Sequence, residues 1–350
     1  MSEVLFEQEN GVGRIRLNRP QAIHALTAGM CGAMLHALQS WARDPDIKLI
    51  LVDHAEGRGF CAGGDIRMLA QSAAADGAEA RAFFRTEYQL NHLMFTYEKP
   101  IVAFMDGVTM GGGVGISQPA RFRIATENCR FAMPETGIGL FTDVGGGWYL
   151  SRLPGRIGQY LALTGHRLNG AECVALDLAT HYVAADRLAE LKAAIQAEPD
   201  RFEALIEDFS SPLPFSPILV EKDQIDHLFQ SDSLEDILAA LAEDGGEWAA
   251  KQLAILESKS PLSMKVCLRL LKESRALRDF ADEMRLEFAV AARIIESPDF
   301  VEGVRALIVD KDNSPVWRPA TPALVTEQVV SGIFAPLGED DAWNPVEELA

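Results

Sequence analysis

Two stretches of similar design decide the fold of this chain: LILVDHAEGRGFCAGGDIR, residues 49–67, and IVAFMDGVTMGGGVGIS, residues 101–117. Each begins with a short apolar run typical of a buried strand, continues into a glycine-rich turn and ends where a helix is predicted. Glycine permits a sharp turn and a close approach of a ligand to main-chain amides. Taken alone, each turn also fits ordinary packing between a strand and a helix. Two converging turns, however, would offer two N–H donors to one carbonyl oxygen, as an oxyanion requires.

The remaining sequence predicts an α/β part followed by a helical part. A hairpin is expected over residues 4–17, and Thr27 is the predicted N-cap of a long helix. Strands and helices then alternate, which favours an α/β core. From about Arg187 the apolar residues follow a helical period almost throughout. We therefore predict a core over residues 1–195, which carries the active site, and a helical region over residues 196–350.

Composition and charge exclude several classes of function. The chain has 350 residues and a formal net charge of −19, which disfavours nucleic acids and anionic membranes as partners. Its beginning has no secretory signal pattern, and no apolar run approaches the roughly 18 residues of a membrane helix. No metal site is expected, because the seven histidines lack ligand spacing. The five cysteines are scattered without a CxxC pair, as in reduced cytoplasmic proteins or, in a eukaryote, the mitochondrial matrix.

Two carboxylates stand in an apolar, glycine-rich stretch, MPETGIGLFTDVGGG, residues 133–147. They are Glu135 and Asp143. Burial in such surroundings would raise their pKa values and suit one of them to act as a base or a nucleophile. The alternative is that each of them caps a helix, a common use of acidic residues.

The glycine turns resemble a known family. FCAGGDIR and MGGGVGIS are similar, in order and spacing, to the two signature turns of the crotonase (enoyl-CoA hydratase/isomerase) superfamily. LNRPQAIHAL, residues 17–26, resembles its opening motif, with His24 where Asn is usual. The resemblance implies a spiral of ββα turns that binds an acyl-CoA thioester, with coenzyme A entering as part of the substrate and no separate cofactor. A homo-oligomer is left open.

The same resemblance implies roles for the turn residues. The thioester oxygen would accept hydrogen bonds from the backbone amide of Gly112 and from one at Cys61 or its immediate neighbours. Four further turn residues would contact the substrate, namely Gly63, Gly64, Asp65 and Gly111. Arg58, Arg67 and Lys99 are candidates for the coenzyme A phosphates, although each also fits an ordinary surface charge.

Within the superfamily, the segment over residues 133–155 resembles the 3-hydroxyisobutyryl-CoA hydrolases. That resemblance implies that Glu135 is the nucleophile or general base, and that Asp143 binds the 3-hydroxyl and assists thiolate departure. Gly115 occupies the position where hydratases generally carry a glutamate. FFRTEY, residues 83–88, and VDKDNSPVW, residues 309–317, resemble the same subgroup. In the former, Glu87 would line the substrate pocket; the alternative is an ordinary solvated helix glutamate.

The expected activity is hydrolysis of a short-chain acyl-CoA. By resemblance it would convert 3-hydroxyisobutyryl-CoA to 3-hydroxyisobutyrate and coenzyme A, as in valine catabolism. An enoyl-CoA hydratase or isomerase is the first alternative, and a non-catalytic coenzyme A-binding protein on the same fold is the second.

Overall fold

The computed structural model describes residues 2–346, and within them ten strands lie in two sheets. Strands β1 to β10 are, in chain order, Val4–Glu9, Val12–Leu17, Leu49–His54, Gly59–Cys61, Ile101–Met105, Val108–Met110, Phe122–Ala125, Arg130–Ala132, Leu168–Asn169 and His181–Tyr182. Helices α1 to α16 are Ala28–Arg43, Ile66–Ala73, Ala78–Phe95, Gly112–Gly115, Gly146–Ser151, Ile157–Thr164, Gly170–Ala175, Leu188–Ala197, Phe202–Phe209, Pro217–Leu228, Leu234–Asp244, Glu247–Glu257, Pro261–Ser274, Phe280–Ile294, Pro298–Val304 and Glu327–Ile333.

From β3 to β8, successive strands enter the two sheets alternately. The larger sheet has the order β1-β2-β3-β5-β7-β10, and the smaller sheet has the order β4-β6-β8-β9. Each of β3, β5 and β7 is followed along the chain by one strand of the smaller sheet. Neighbours within these two sets pair in parallel. This repetition is the ββα spiral, and it confirms the predicted fold class.

The parallel strands explain which elements the sequence predicts well. β3 and β5 are buried along almost their whole length, so they read as continuous apolar runs. β4, β6 and β8 have only three residues each, which is too short for a periodic pattern. In the sequence, β4 and β6 are therefore visible only as parts of glycine turns.

Two predicted local structures are confirmed. β1 and β2 form the antiparallel hairpin, with Val4 opposite Leu17. Thr27 caps α1, because its hydroxyl accepts a hydrogen bond from the amide of Met30 at 3.2 Å. Satisfying this amide stabilises the first turn of the helix that packs against α3.

The C-terminal helices pack against the spiral in two layers. α8 and α9 cover one face of the larger sheet, where Leu191 and Ile206 pack with Leu51 and Phe104. α13 and α14 instead share one buried cluster with the opposite faces of β3 and β5. The predicted boundary after residue 195 falls within α8. Helices from the C-terminal part thus reach the layer in which the acidic residues lie.

Candidate active site

The two glycine-rich turns meet. Gly63 has a φ of +118°, and a Cβ there would lie 3.8 Å from the amide nitrogen of Gly112. The carbonyl of Gly63 accepts a hydrogen bond from the amide of Leu26 at 2.7 Å, which ties the first turn to the segment before α1. The convergence inferred from the two similar stretches is therefore present in the fold.

Among the amides of these turns, those of Gly63 and Gly112 are available to a ligand. The amide of Ala62 donates to the carbonyl of Ile23 at 2.9 Å. Within residues 2–346, the amides of Gly63 and Gly112 donate to no protein group. A buried N–H without a partner is uncommon, so an open pair of such donors indicates a binding site for an oxygen atom.

Glu135 faces this pair of turns. It begins a short 3₁₀ turn, Glu135–Ile138, that follows β8. Its Oε1 lies 3.2 Å from the position of a Cβ on Gly111, and its Oε2 is buried without a hydrogen-bond partner. The N-cap of the turn is Pro134, so Glu135 is not at the capping position. The capping alternative is therefore wrong, and the carboxylate is left to act on a ligand.

Glu87 reaches the site from α3. Its side chain is 2% exposed, and its Oε1 lies 2.6 Å from the position of a Cβ on Gly112. Oε1 has no hydrogen-bond partner among the described residues. The alternative of a solvated helix glutamate is therefore wrong.

Asp143 is the third buried acid of the site. It is hydrogen-bonded to Tyr88, a residue that was not among the predicted site residues. The hydroxyl of Tyr88 donates to Oδ2 of Asp143 at 2.9 Å, and both residues are buried. α5 begins after Gly145, without a side-chain cap. The capping alternative thus fails for Asp143 also. Tyr88 directly follows Glu87 in the motif FFRTEY, and this position was the signal that could have identified it.

Burial and mutual repulsion set the protonation of these acids. Burial raises the pKa of Glu135 well above its ordinary range, and the charge of Asp143 raises it further. The pKa of Glu87 is raised in the same way, first by burial and then by the charges of Asp143 and Glu135. Burial raises the pKa of Asp143 to about 7, against the lowering effect of the Tyr88 hydrogen bond. The positive charge of Lys259 lowers the pKa of Glu135. Acids of this kind serve proton transfer near neutral pH.

Position 115 has no room for a second catalytic acid. A Cβ on Gly115 would lie 2.7 Å from Cβ of Val144 and 2.8 Å from Nδ2 of Asn91. Both neighbours are buried. The site therefore presents Glu135 without a carboxylate at the position where hydratases generally have one.

The side chains of the other predicted turn residues contact neighbouring parts of the protein. The Cys61 thiol is buried and donates to the carbonyl of His24 at 3.2 Å. A Cβ on Gly64 would meet the Phe83 ring at 3.0 Å. Asp65 caps α2 and forms an ion pair with Arg19 at 2.6 Å. Their side chains thus hold the turn in place.

Arg58 is exposed, whereas the other two phosphate candidates make contacts within the protein. Lys99 donates to the carbonyls of Trp41 and Asp44, and Arg67 donates to the carbonyl of Ile308 at 3.0 Å. Over residues 2–346, no group of three or more His, Cys, Asp or Glu side chains could hold a metal ion. No helix in the same range is both long and apolar enough to cross a membrane.

Comparison with known sequences agrees with this geometry. The family model described as enoyl-CoA hydratase/isomerase matches residues 12–334. The human protein named 3-hydroxyisobutyryl-CoA hydrolase, mitochondrial, is 40% identical over 348 residues, which span 97% of this chain and 90% of that protein. The Danio rerio protein of the same name is 41% identical over 349 residues, spanning 97% and 91% of the two chains.

Solved structures show the same architecture over the full length. A structure described as a carnitinyl-CoA dehydratase from Mycobacterium thermoresistibile is 39% identical, with a TM-score of 0.93 and coverage of 97% of this chain and 98% of that one. One described as an enoyl-CoA hydratase from Rhodobacter sphaeroides is 37% identical, with a TM-score of 0.90 and coverage of 98% and 100%. The chain belongs to the enoyl-CoA hydratase/isomerase family.

Proposed function

We propose that this enzyme hydrolyses 3-hydroxyisobutyryl-CoA to 3-hydroxyisobutyrate and coenzyme A. The observation that carries the proposal is the position of Glu135, which faces the open amides of Gly63 and Gly112 while position 115 carries no acid. The relatives named for this reaction match almost the whole chain at about 40% identity. Coenzyme A enters as part of the substrate, and no other cofactor takes part in the proposed reaction.

The two amides would bind the thioester oxygen. As the carbonyl carbon becomes tetrahedral, negative charge develops on that oxygen, and fixed N–H donors stabilise it better than the starting carbonyl. One donor of this type contributes about 3–4 kcal/mol in the best-studied acyl-transfer enzyme. Gly63 is our choice for the second donor, since the neighbouring amide of Ala62 is already hydrogen-bonded.

Glu135 would start the reaction in its ionised form. It either removes a proton from the attacking water or attacks the carbonyl itself, forming an anhydride that water then cleaves. Both routes consume one water and release one thiol. Hydroxylamine converts a glutamyl anhydride to a hydroxamate, so mass analysis of the peptide that contains Glu135 distinguishes them.

Asp143 and Glu87 would contact the acyl group and the leaving group. With a pKa of about 7, Asp143 carries a proton in a large share of molecules at neutral pH and can protonate the departing thiolate. Its carboxyl group would also bind the 3-hydroxyl of the substrate. Glu87 lies against Gly112 and would line the acyl pocket.

Hydration or dehydration of an enoyl-CoA is the second candidate, because the two similar solved structures carry such descriptions. Hydratases generally carry a second glutamate at the position of Gly115, and the residues around Gly115 leave no space for one there. A non-catalytic coenzyme A-binding protein is the third candidate, and it would bind substrate without turnover. Residence in the cytoplasm or mitochondrial matrix is a further proposal; the relatives' names include the word mitochondrial.

Thiol release from 3-hydroxyisobutyryl-CoA, measured beside loss of enoyl absorbance from crotonyl-CoA, separates these candidates. We expect thiol release alone. Glu135→Gln should lower kcat by about 10²- to 10⁴-fold, the usual contribution of a general base. Glu257→Gln, at an exposed position on α12, is the matched control and should retain activity. Full activity in Glu135→Gln would overturn the role of this residue, and consumption of crotonyl-CoA without thiol release would overturn the proposed reaction.

A further inference from the structure

The turn between Asp143 and α5 has a strained backbone. Val144 has a φ of +55°, and Gly145 follows with a φ of +83°. A β-branched residue rarely adopts positive φ, and such strain costs about 1–3 kcal/mol unless the surroundings fix it. Asp143 immediately precedes this turn. The direction of its carboxyl group therefore depends on whatever holds Val144 and Gly145 in place.

A buried glutamate from α14 holds the turn. Oε2 of Glu287 accepts a hydrogen bond from the amide of Gly145 at 2.7 Å, and Oε1 accepts one from the amide of Gly147 at 3.2 Å. Glu287 is 0% exposed. Burial of a carboxyl group is costly unless it is hydrogen-bonded, and here both oxygens bond to the segment that leads away from Asp143.

The next residue of α14 supports the partner of Asp143. The ring of Phe288 packs edge-to-face against Tyr88, with centroids 6.2 Å apart. Consecutive residues of one helix thus contact both sides of the Tyr88–Asp143 hydrogen bond. Phe288 contacts the donor ring, and Glu287 contacts the backbone beyond the acceptor.

Glu283, one turn earlier on α14, belongs to the same buried contact. It is also 0% exposed, but its Oε1 accepts a hydrogen bond from the hydroxyl of Ser274 at 2.6 Å. No hydrogen bond within residues 2–346 joins it to the amides of Gly145 or Gly147. Oε1 of Glu283 also lies against Gly147, and a hydrogen bond between the two carboxyl groups joins Glu283 to Glu287.

We propose that Glu287 is a positioning residue that sets the selectivity of this enzyme for 3-hydroxyacyl-CoA thioesters by holding Asp143 in place. The inference rests on the proposed function, in which Asp143 binds the 3-hydroxyl. A substrate without that hydroxyl makes no use of this contact. Displacement of Asp143 should therefore reduce turnover of the hydroxylated substrate far more than that of its deoxy analogue.

The test compares thiol release from 3-hydroxyisobutyryl-CoA and isobutyryl-CoA in Glu287→Gln, with Asp282→Asn, at an exposed position on α14, as the control. Glu287→Gln should lower kcat/KM for the 3-hydroxy substrate by about 10- to 100-fold, the effect of a misplacement of about 1 Å. The value for isobutyryl-CoA should change by less than about threefold, since the oxyanion donors and Glu135 are untouched. Asp282→Asn should leave the ratio unchanged. An equal loss on both substrates, or no loss on either, would overturn the proposal.

A double-substitution cycle shows whether Glu287 acts through Asp143. If it does, adding Glu287→Gln to Asp143→Asn should change the selectivity ratio no further, because coupled residues are not additive. Independent, multiplying effects would contradict the proposal. If Glu287→Gln does not fold, Glu287→Asp carries the same test, since it keeps the carboxyl group and shortens the reach.

A crystal structure of Glu287→Gln gives a readout that does not need turnover. We expect Val144 to relax to negative φ and the Tyr88–Asp143 hydrogen bond to be lost. An unchanged turn would refute the positioning role. If the wild-type protein releases no thiol from 3-hydroxyisobutyryl-CoA, the proposed function fails, while this structural readout still tests the support of Asp143 by Glu287.

Discussion

Val144 occupies the space beside Gly115 that a second catalytic acid would need. A Cβ at position 115 would lie 2.7 Å from Cβ of Val144, and the carbonyl of Gly115 accepts a hydrogen bond from Nδ2 of Asn91 at 2.9 Å. Both contacts are buried, so neither neighbour can move into solvent. Packing around position 115 therefore accounts for the lack of an acid at that position.

Gly115→Glu should therefore destabilise the protein without creating a hydratase. Overpacking of a tight core costs about 1–3 kcal/mol or more, and the new carboxylate would be buried beside other acids. We expect a Tm lowered by several degrees and no consumption of crotonyl-CoA. Gly32→Ala is the control, because a Cβ there meets nothing within 4 Å on α1. A stable Gly115→Glu variant that hydrates crotonyl-CoA would refute the packing argument.

Tyr88→Phe removes the hydroxyl that donates to Asp143. That hydrogen bond lowers the pKa of Asp143, so its loss should raise the pKa further. The buried acid also loses its partner, which costs about 1–3 kcal/mol of stability. Titration of kcat against pH should show the limb that belongs to Asp143 at higher pH than in the wild type. Tyr97→Phe, which removes a hydrogen bond to the carbonyl of Leu38, is the control. If Tyr88→Phe loses this stability but the Asp143 limb of the kcat profile stays at the wild-type pH, Tyr88 has a structural role only.

Patterns among neighbouring residues in the sequence predicted much of the fold and part of the site. The features that they did not predict depend on contacts between residues far apart in the chain. The buried strands β3 and β5, the Thr27 cap and the meeting of the glycine turns follow from local composition. Glu135 stood out because an acid in a glycine-rich apolar stretch is unusual. Glu287 did not, because 140 residues separate it from Gly147, its hydrogen-bond partner. Its four-residue spacing from Glu283 in an apolar helix was the only local signal.

Asp143→Asn should change how stability depends on pH. The folded-state pKa of Asp143 is about 7, above its ordinary 3.8, so its contribution to stability is complete below about pH 4 and is lost as the pH rises through 7. The variant lacks this titration. Relative to the wild type, its free energy of unfolding should rise between pH 4 and 7, by a few kcal/mol at about 1.4 kcal/mol per pKa unit.

Urea denaturation at a series of pH values measures this difference. Asp46→Asn, at an exposed site before β3, is the matched control and should follow the wild-type curve. Activity should fall in Asp143→Asn alone. Parallel stability curves for Asp143→Asn and wild type across this range would contradict the burial of a titrating acid at position 143.

Lys259→Met should shift the pH dependence of hydrolysis. The Nζ of Lys259 lies 3.3 Å from the position of a Cβ on Gly137, within the turn that begins at Glu135, and the amide of Ser260 donates to the carbonyl of Thr136 at 3.1 Å. The charge of Lys259 lowers the pKa of Glu135, whereas burial and the charge of Asp143 raise it.

Without that charge, the pKa of Glu135 should rise. Because the ionised form is the active one, the acid limb of kcat/KM should move to higher pH, while the rate on the plateau above it stays close to wild type. Lys259→Arg should restore the limb, since it keeps the charge. Lys251→Met, at an exposed position on α12, should leave it unmoved. A lower plateau with an unchanged limb would instead mean that Lys259 serves packing, and that another group sets the protonation of Glu135.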